Sequence, residues 1–181
     1  LDGNQGLNTG GMGTFSPSPF YTAEVDAFCK EHIYQATVDA MAAEGRPFQG
    51  IIFFGLMLTE KGPRVLEYNA RFGDPEAQVV LPRMQNDILD VIDACIDGTL
   101  DQVELHFDDN AAVCVILASD GYPLSYEKGF PVRGLERFDN KEGYYCFHAG
   151  TKLTEEGIVT NGGRVLGVTA LGATLQEARA T

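Results

Sequence analysis

Three polar side chains at alternate positions carry the first chemical possibility: Glu67, Asn69 and Arg71, within Glu67-Tyr68-Asn69-Ala70-Arg71-Phe72-Gly73-Asp74-Pro75-Glu76. On an extended strand, residues two apart share a face and are separated by about 6.6 Å. A carboxylate and an amide oxygen then stand side by side, with a guanidinium next in line if the strand continues. Hard divalent cations such as Mg²⁺ take oxygen ligands and keep positions open for phosphate oxygens and water. A guanidinium beside such an ion stabilises charge on a transferring phosphoryl group. The same spacing also suits a solvated strand face with a cross-strand ion pair, and spacing alone leaves both open.

A second segment, Asp2-Gly3-Asn4-Gln5-Gly6-Leu7-Asn8-Thr9-Gly10-Gly11-Met12-Gly13, is rich in glycine. Adjacent glycines let a backbone approach a ligand closely and present N–H groups to an anion. No Gly-Lys-Ser/Thr follows, so it is not a Walker loop, and no strand–turn–helix frames it as a dinucleotide fingerprint. A tight-turn loop without a ligand is the alternative. Elsewhere, His148 ends an apolar strand, and the three scattered histidines make no metal set, which points to a hydrogen-bonding role. Arg164, after Asn161-Gly162-Gly163, could reach a substrate phosphate or pair locally. Asp101, Glu104, Asp108 and Asp109 read as a solvated linker face.

The elements that must position these residues follow from periodicity. Residues 1–19 read as one or two structured loops. Thr22 is an N-cap with Glu24 and Asp26 in the first turn. Val25, Cys29, Ile33, Ala36, Ala40 and Ala43 recur at helical spacing, and Gly45 and Pro47 end that helix. Residues 50–58 and 64–69 form two strands of an antiparallel hairpin around Thr59-Glu60-Lys61-Gly62-Pro63. Val65, Glu67 and Asn69 point to one face of it and Leu66, Tyr68 and Ala70 to the other. Asp74-Pro75-Glu76 has the form of a helix start, with Asp74 at N-cap and Pro75 at N1. Ile88, Leu89, Ile92, Cys95 and Ile96 mark a further helix ending at Gly98. Strands are expected at 111–119, 144–149, 152–160 and 164–171, with Gly162-Gly163 as a tight turn between the last two. Thr174 caps a final helix. The polar stretch 99–110 suggests a domain boundary at 106–110.

The 181 residues are 44% hydrophobic and 22% charged, which is globular composition. Thirteen Lys and Arg against 26 Asp and Glu give a net charge of −13. That balance disfavours nucleic acid and anionic membrane surfaces as partners. It leaves room for a nucleotide, whose phosphates can be held by backbone N–H groups, a metal ion and a few local cations. Cys29, Cys95, Cys114 and Cys146 lack metal-ligand or redox spacing and read as reduced, mostly buried thiols, as in a cytoplasmic protein. The run 51–58 is too short to span a bilayer, and no signal peptide is visible. With no initiator Met and a start on Leu1-Asp2-Gly3, the chain reads as a fragment of a longer protein.

Asn8-Thr9-Gly10-Gly11-Met12-Gly13, Ser16-Pro17 and Glu67-x-Asn69-x-Arg71-Phe72-Gly73-Asp74-Pro75-Glu76 together resemble the phosphoribosylamine–glycine ligase (glycinamide ribonucleotide synthetase) family. Gly121-Tyr122-Pro123, Lys128-Gly129, His148-Ala149-Gly150-Thr151 and residues 160–169 resemble its C-terminal domain, in the same order. Glu-x-Asn-x-Arg alone would suggest only the wider ATP-grasp superfamily. The resemblance implies an α+β architecture. Residues 1–107 would be the C-terminal part of an ATP-grasp domain, an antiparallel sheet flanked by helices, and 108–181 a smaller β-rich domain, truncated at its end. It implies ATP-dependent joining of glycine to 5-phosphoribosylamine through a glycyl phosphate, in purine biosynthesis. Glu67 and Asn69 would hold Mg²⁺ or Mn²⁺, and Arg71 would neutralise the transferring phosphoryl. Asn8, Thr9, Gly10, Gly11 and Asp74 would face the ribosylamine or glycine.

Two departures from the family pattern stand out. Many ATP-grasp enzymes carry a third acidic or amide metal ligand on the preceding strand, where this chain has Phe54-Gly55-Leu56-Met57-Leu58. None of Lys30, Lys61, Lys128, Lys141 and Lys152 sits in the context of an ATP-gripping lysine, so the chain alone is expected to be inactive. An ATP-grasp enzyme for another acid and amine, and a non-catalytic binding module on the same fold, are the competing readings.

Overall fold

The computed structural model describes Gly3 and residues 5–181; Leu1, Asp2 and Asn4, which open the glycine-rich segment, lie outside the described residues. In chain order the elements are β1 (Gly13–Ser16), α1 (Ala23–Cys29), α2 (Gln35–Ala43), β2 (Phe53–Thr59), β3 (Gly62–Asn69), α3 (Ala77–Val80) and α4 (Ile88–Asp97). They continue with β4 (Ala111–Ala118), β5 (Tyr144–His148), β6 (Thr151–Thr154), β7 (Gly157–Thr160), β8 (Arg164–Gly172) and α5 (Leu175–Ala180). The α+β character expected from the sequence holds, with every strand pair antiparallel. Contacts divide the chain into two units that interleave along it. One holds the residues up to Ser16, Asp74–Arg83 and Asp108–Thr181; the other holds Pro17–Gly73 and Met84–Phe107.

The first unit is built on a sheet of order β1-β4-β8-β5. Alternation along β4 buries Ala112, Cys114 and Ile116 and leaves Val115 and Leu117 exposed. Val79 of α3 packs on the buried row with Val80 and Leu171. Its burial contributes about 1.5–3 kcal/mol. Thr169 is fully buried on β8 and satisfies its hydroxyl by donating to the Gln78 carbonyl at 2.9 Å. The loop expected over residues 1–19 therefore contains a strand, since Gly13–Ser16 pairs with Val115–Ala112. Its four residues carry little apolar signal and are strand only because β4 offers an edge. Arg83 anchors the end of this strand by donating to Ser16 Oγ at 2.7 Å and to the carbonyls of Asn110 and Asp108, each at 2.8 Å.

Two expectations for the C-terminal strands need correction. Residues 152–160 are not one strand but the hairpin β6–β7, reversed at Glu155-Glu156-Gly157 with Gly157 at φ +118°. Gly162-Gly163 does not join strands of one hairpin, because β8 pairs with β4 and β5. Those glycines serve close approach instead. A Cβ on Gly163 would lie 2.0 Å from the Tyr122 ring, and one on Gly150 would lie 2.6 Å from Gly162 Cα.

In the second unit the helix expected from Thr22 forms, with Thr22 Oγ1 accepting from Val25 N. Cys29 and Ile33 are its buried residues. A π turn at Lys30–Tyr34 links α1 to α2, which strict 3.6-residue periodicity does not foresee. The helix closes at Gly45, φ +73°, where Gly45 N donates to the Ala42 carbonyl and Arg46 N to the Met41 carbonyl. This is the left-handed glycine cap that satisfies otherwise orphaned carbonyls. Phe53↔Asn69, Phe54↔Tyr68 and Gly55↔Glu67 pair regularly in the β2–β3 hairpin, and the register then shifts so that Leu56 faces Val65. Leu66 is the extra residue of this bulge, so the even alternation expected over 65–69 holds only from Glu67 onward. α4 forms with Asp87 as N-cap and Gly98 as left-handed C-cap. Its apolar stripe is only partly covered, with Ile88 and Cys95 half-buried but Leu89 64% and Ile96 70% exposed. Among the described residues, no helix is long and apolar enough to cross a membrane.

Candidate functional site

Glu67 and Asn69 lie on the regular part of β3, so their side chains share a face. Opposite Glu67 stands Gly55, and a Cβ there would lie 2.8 Å from Glu67 Cγ. The missing side chain is the space that the Glu67 carboxylate arm crosses. β3 ends at Asn69, so Arg71 is not a further strand residue as the spacing suggested. Its guanidinium folds back, donating to the Phe72 carbonyl at 2.7 Å and to Asn69 Oδ1 at 3.4 Å. The fold-back still places the cation beside the amide oxygen.

No group of three or more His, Cys, Asp or Glu residues among the described residues could hold a metal ion. The local donor set is thus one carboxylate and one amide oxygen, on the exposed and half-buried positions Glu67 and Asn69. Two oxygens on one strand face, with no closing ligands, suit a hard cation that shares its coordination sphere with phosphate oxygens and water. They do not suit a closed structural metal site.

The first unit holds the second cluster. Asn8 Oδ1 accepts from Gly10 N at 2.9 Å, and Gly10 and Gly11 take φ +73° and +103°. A Cβ on Gly11 would lie 2.8 Å from Pro75 Cδ, so only glycine lets the loop lie against the Asp74-Pro75 segment. Arg164, the first residue of β8, donates through Nη1 to the carbonyls of Gly10 (2.9 Å), Gly11 (3.3 Å) and Asp74 (2.9 Å). Its Nη2 pairs with Asp74 Oδ2 at 3.0 Å. The Tyr122 hydroxyl donates to the Thr9 carbonyl.

Asp74 does not cap a helix as its position before Pro75 suggested. α3 begins only at Ala77, and Asp74 Oδ1 accepts instead from Gln78 Nε2 at 3.0 Å. With Oδ2 on Arg164, both carboxylate oxygens are engaged. Of the roles open for Arg164, the ion pair forms, with a partner 90 residues away in the sequence. At 21% and 47% side-chain exposure for Arg164 and Asp74, the ion pair is worth on the order of 1 kcal/mol or less. Its importance is geometric.

Glu67, Asn69 and Arg71 thus form one group, in the second unit, and Asn8, Thr9, Gly10, Gly11 and Asp74 another, in the first. Sequence reasoning missed Tyr122 as part of the second group; the signal was the Gly163 it packs against. His148 Nδ1 lies 2.9 Å from Thr151 Oγ1, the hydrogen-bonding role expected of it. All four cysteines are free, and burial pushes the thiol pKa values of Cys114 and Cys146 up.

Comparison with known proteins adds three findings. Residues 1–77 match the family model of the phosphoribosylglycinamide synthetase ATP-grasp (A) domain, and residues 112–181 that of the phosphoribosylglycinamide synthetase C domain. Phosphoribosylamine–glycine ligase of Brucella melitensis is 46% identical over 179 residues, covering 99% of this chain and 42% of the relative. That of Halalkalibacterium halodurans is 49% identical over 180 residues, covering 99% and 41%. The trifunctional purine biosynthetic protein adenosine-3 of Gallus gallus is 46% identical over 178 residues, covering 98% of this chain and 18% of that protein. The crystal structure of phosphoribosylamine–glycine ligase from Thermotoga maritima superposes with a TM-score of 0.78 at 34% identity, covering 99% of this chain and 43% of that one. The chain spans about two fifths of the length of the single-function relatives.

Proposed function

The chain belongs to the phosphoribosylglycinamide synthetase family, and from that premise we propose that it forms part of an enzyme ligating glycine to 5-phosphoribosylamine at the expense of ATP. The γ-phosphoryl of ATP passes to the glycine carboxylate, releasing ADP and giving glycyl phosphate. The amine nitrogen of phosphoribosylamine then attacks the acyl carbon and expels phosphate, leaving the amide. The observation that carries this reading is the row Glu67, Asn69, Arg71, an oxygen pair with a guanidinium folded onto it.

In this proposal Glu67 and Asn69 hold Mg²⁺ or Mn²⁺. When bound, the cation neutralises charge on the phosphate oxygens in the transition state. Arg71 donates from beside Asn69 to the phosphoryl oxygens during transfer. Asn8, Thr9, Gly10 and Gly11 present backbone and side-chain polar groups to the ribosylamine or glycine, and Asp74 fixes that loop through the shared Arg164. The proposal includes a boundary between family domains near residue 107, supported by the two family models matching segments on either side of it, while the packed units interleave across that boundary. It also places the protein in the cytoplasm, supported by four free cysteines.

The test is ADP release by the complete protein with Mg²⁺, glycine and freshly generated phosphoribosylamine, each omitted in turn. Release that requires both small substrates is the expected result. Release requiring another acid or amine would move the enzyme elsewhere in the ATP-grasp superfamily, and no release under any condition would favour a binding module.

A further inference from the structure

The carbonyls of Thr9, Gly10 and Gly11 all meet donors from the same pair of side chains, Tyr122 for the first and Arg164 for the other two. The peptide bonds here are trans, the two cis bonds among the described residues being Asp74-Pro75 and Tyr122-Pro123. In a trans peptide unit the C=O and the N–H point in opposite directions. The N–H groups of Gly10, Gly11 and Met12 belong to these same three units, so they are turned to the side of the loop away from Arg164 and Tyr122. Gly10 N–H is taken by Asn8 Oδ1, which also closes the turn.

Two glycines in succession at positive φ give the loop a backbone that could otherwise adopt many shapes. External donors on the carbonyl side remove that freedom. One guanidinium reaches two loop carbonyls, the Asp74 carbonyl and the Asp74 carboxylate, so it fixes the loop and the Asp74 segment relative to each other. A lysine ammonium is a single point donor and cannot span that set.

Resting on the functional reading above, we infer that Arg164 and Tyr122 are positioning residues for substrate. They set the direction in which the glycine-rich loop offers the N–H groups of Gly11 and Met12 to an anionic group of the small substrate, either the phosphate of phosphoribosylamine or the carboxylate of glycine. Neither residue needs to touch substrate to do so.

The experiment compares R164K and Y122F with the parent in the complete protein. Y122F keeps the ring against Gly163 and removes only the hydroxyl, so it stays informative if R164K folds poorly. In R164K the KM of one small substrate rises about tenfold or more, with a smaller rise of the same KM in Y122F, while the KM for ATP stays within about twofold. Which KM moves identifies the anion as phosphate or carboxylate. Hydrogen exchange read by mass spectrometry accelerates in a peptide covering residues 5–13 and stays unchanged in peptides from β4 and β8. A fall in kcat with both small-substrate KM values unchanged overturns the inference. So does exchange that is unchanged in the loop, or accelerated across the whole unit. If the parent shows no ADP release dependent on glycine and phosphoribosylamine, the functional reading fails by itself, and the exchange measurement still decides whether the two side chains hold the loop.

Discussion

Glu67 shows how a single carboxylate can be exposed to a wrong neighbour. Its arm crosses the place where a Cβ on Gly55 would stand, 2.8 Å from Glu67 Cγ. Gly55→Ala therefore displaces the carboxylate without demanding a backbone change, since Gly55 is not at positive φ. We expect ADP release to fall about tenfold or more while urea denaturation shifts by less than about 1 kcal/mol. Glu67→Ala and Asn69→Ala remove the oxygen ligands themselves, and each is expected to lower kcat by about 100-fold or more in the same assay. Reactivity of the thiols belongs to this scale too. Cys114 and Cys146 have pKa values raised by burial, so at pH 7.5 their thiolate fraction lies below that of a free cysteine. Iodoacetamide labelling read by mass spectrometry should leave both largely unmodified until the protein is unfolded, with any native-state labelling rising as pH is raised. At this scale the sequence was informative about residue types and poor about aim. Arg71 and Asp74 were both singled out, yet Arg71 turns back on its own strand and Asp74 engages Arg164 and Gln78 rather than a helix end. For Asp74 the deciding partner, Arg164, lies 90 residues away, and for Arg71 it is the end of the strand at Asn69 that frees the side chain to turn back; spacing along an assumed strand encodes neither.

Elements with local causes were legible. Thr22 and Thr174, the caps expected from the sequence, stand where their helices begin, each accepting from a backbone N–H of the first turn. Substituting alanine at Thr174 should lower the unfolding free energy by about 1 kcal/mol, measured by urea denaturation. The β2–β3 hairpin was legible for the same reason, its turn and both strands lying within about 20 residues. What failed were elements defined by distant partners. β1 is a strand because of β4, and β7 pairs with β6 while β8 pairs with β4 and β5, so Gly162-Gly163 could not be read as a linker between sheets from its dipeptide alone. The apolar row of α4 was visible in the sequence, but its exposure was not, because periodicity reports a face and not whether anything covers it.

At the scale of the molecule, packing does not follow chain order. A unit assembled from three separated segments, one of them the ten residues Asp74–Arg83, is not foreseeable from a composition shift near 106–110. The family assignment was legible because its motifs are long and retain their order along the chain. Since the chain spans about two fifths of its relatives, we expect the 181 residues alone to release no ADP with glycine, phosphoribosylamine and Mg²⁺ present, whereas the complete protein does. Turnover by the isolated chain would show that every catalytic group lies within it.

The bonds from Arg164 to Gly10 and Gly11 span 154 and 153 residues of sequence. During synthesis the chain is made from its N-terminus, so the glycine-rich loop leaves the ribosome long before the guanidinium that fixes its shape exists. Contacts of such separation also carry the loop-closure cost that slows folding. The fixed shape of this loop is thus among the last features of this chain to be acquired. A nascent product interrupted before β8 would hold the whole glycine motif and still lack the guanidinium that fixes its shape.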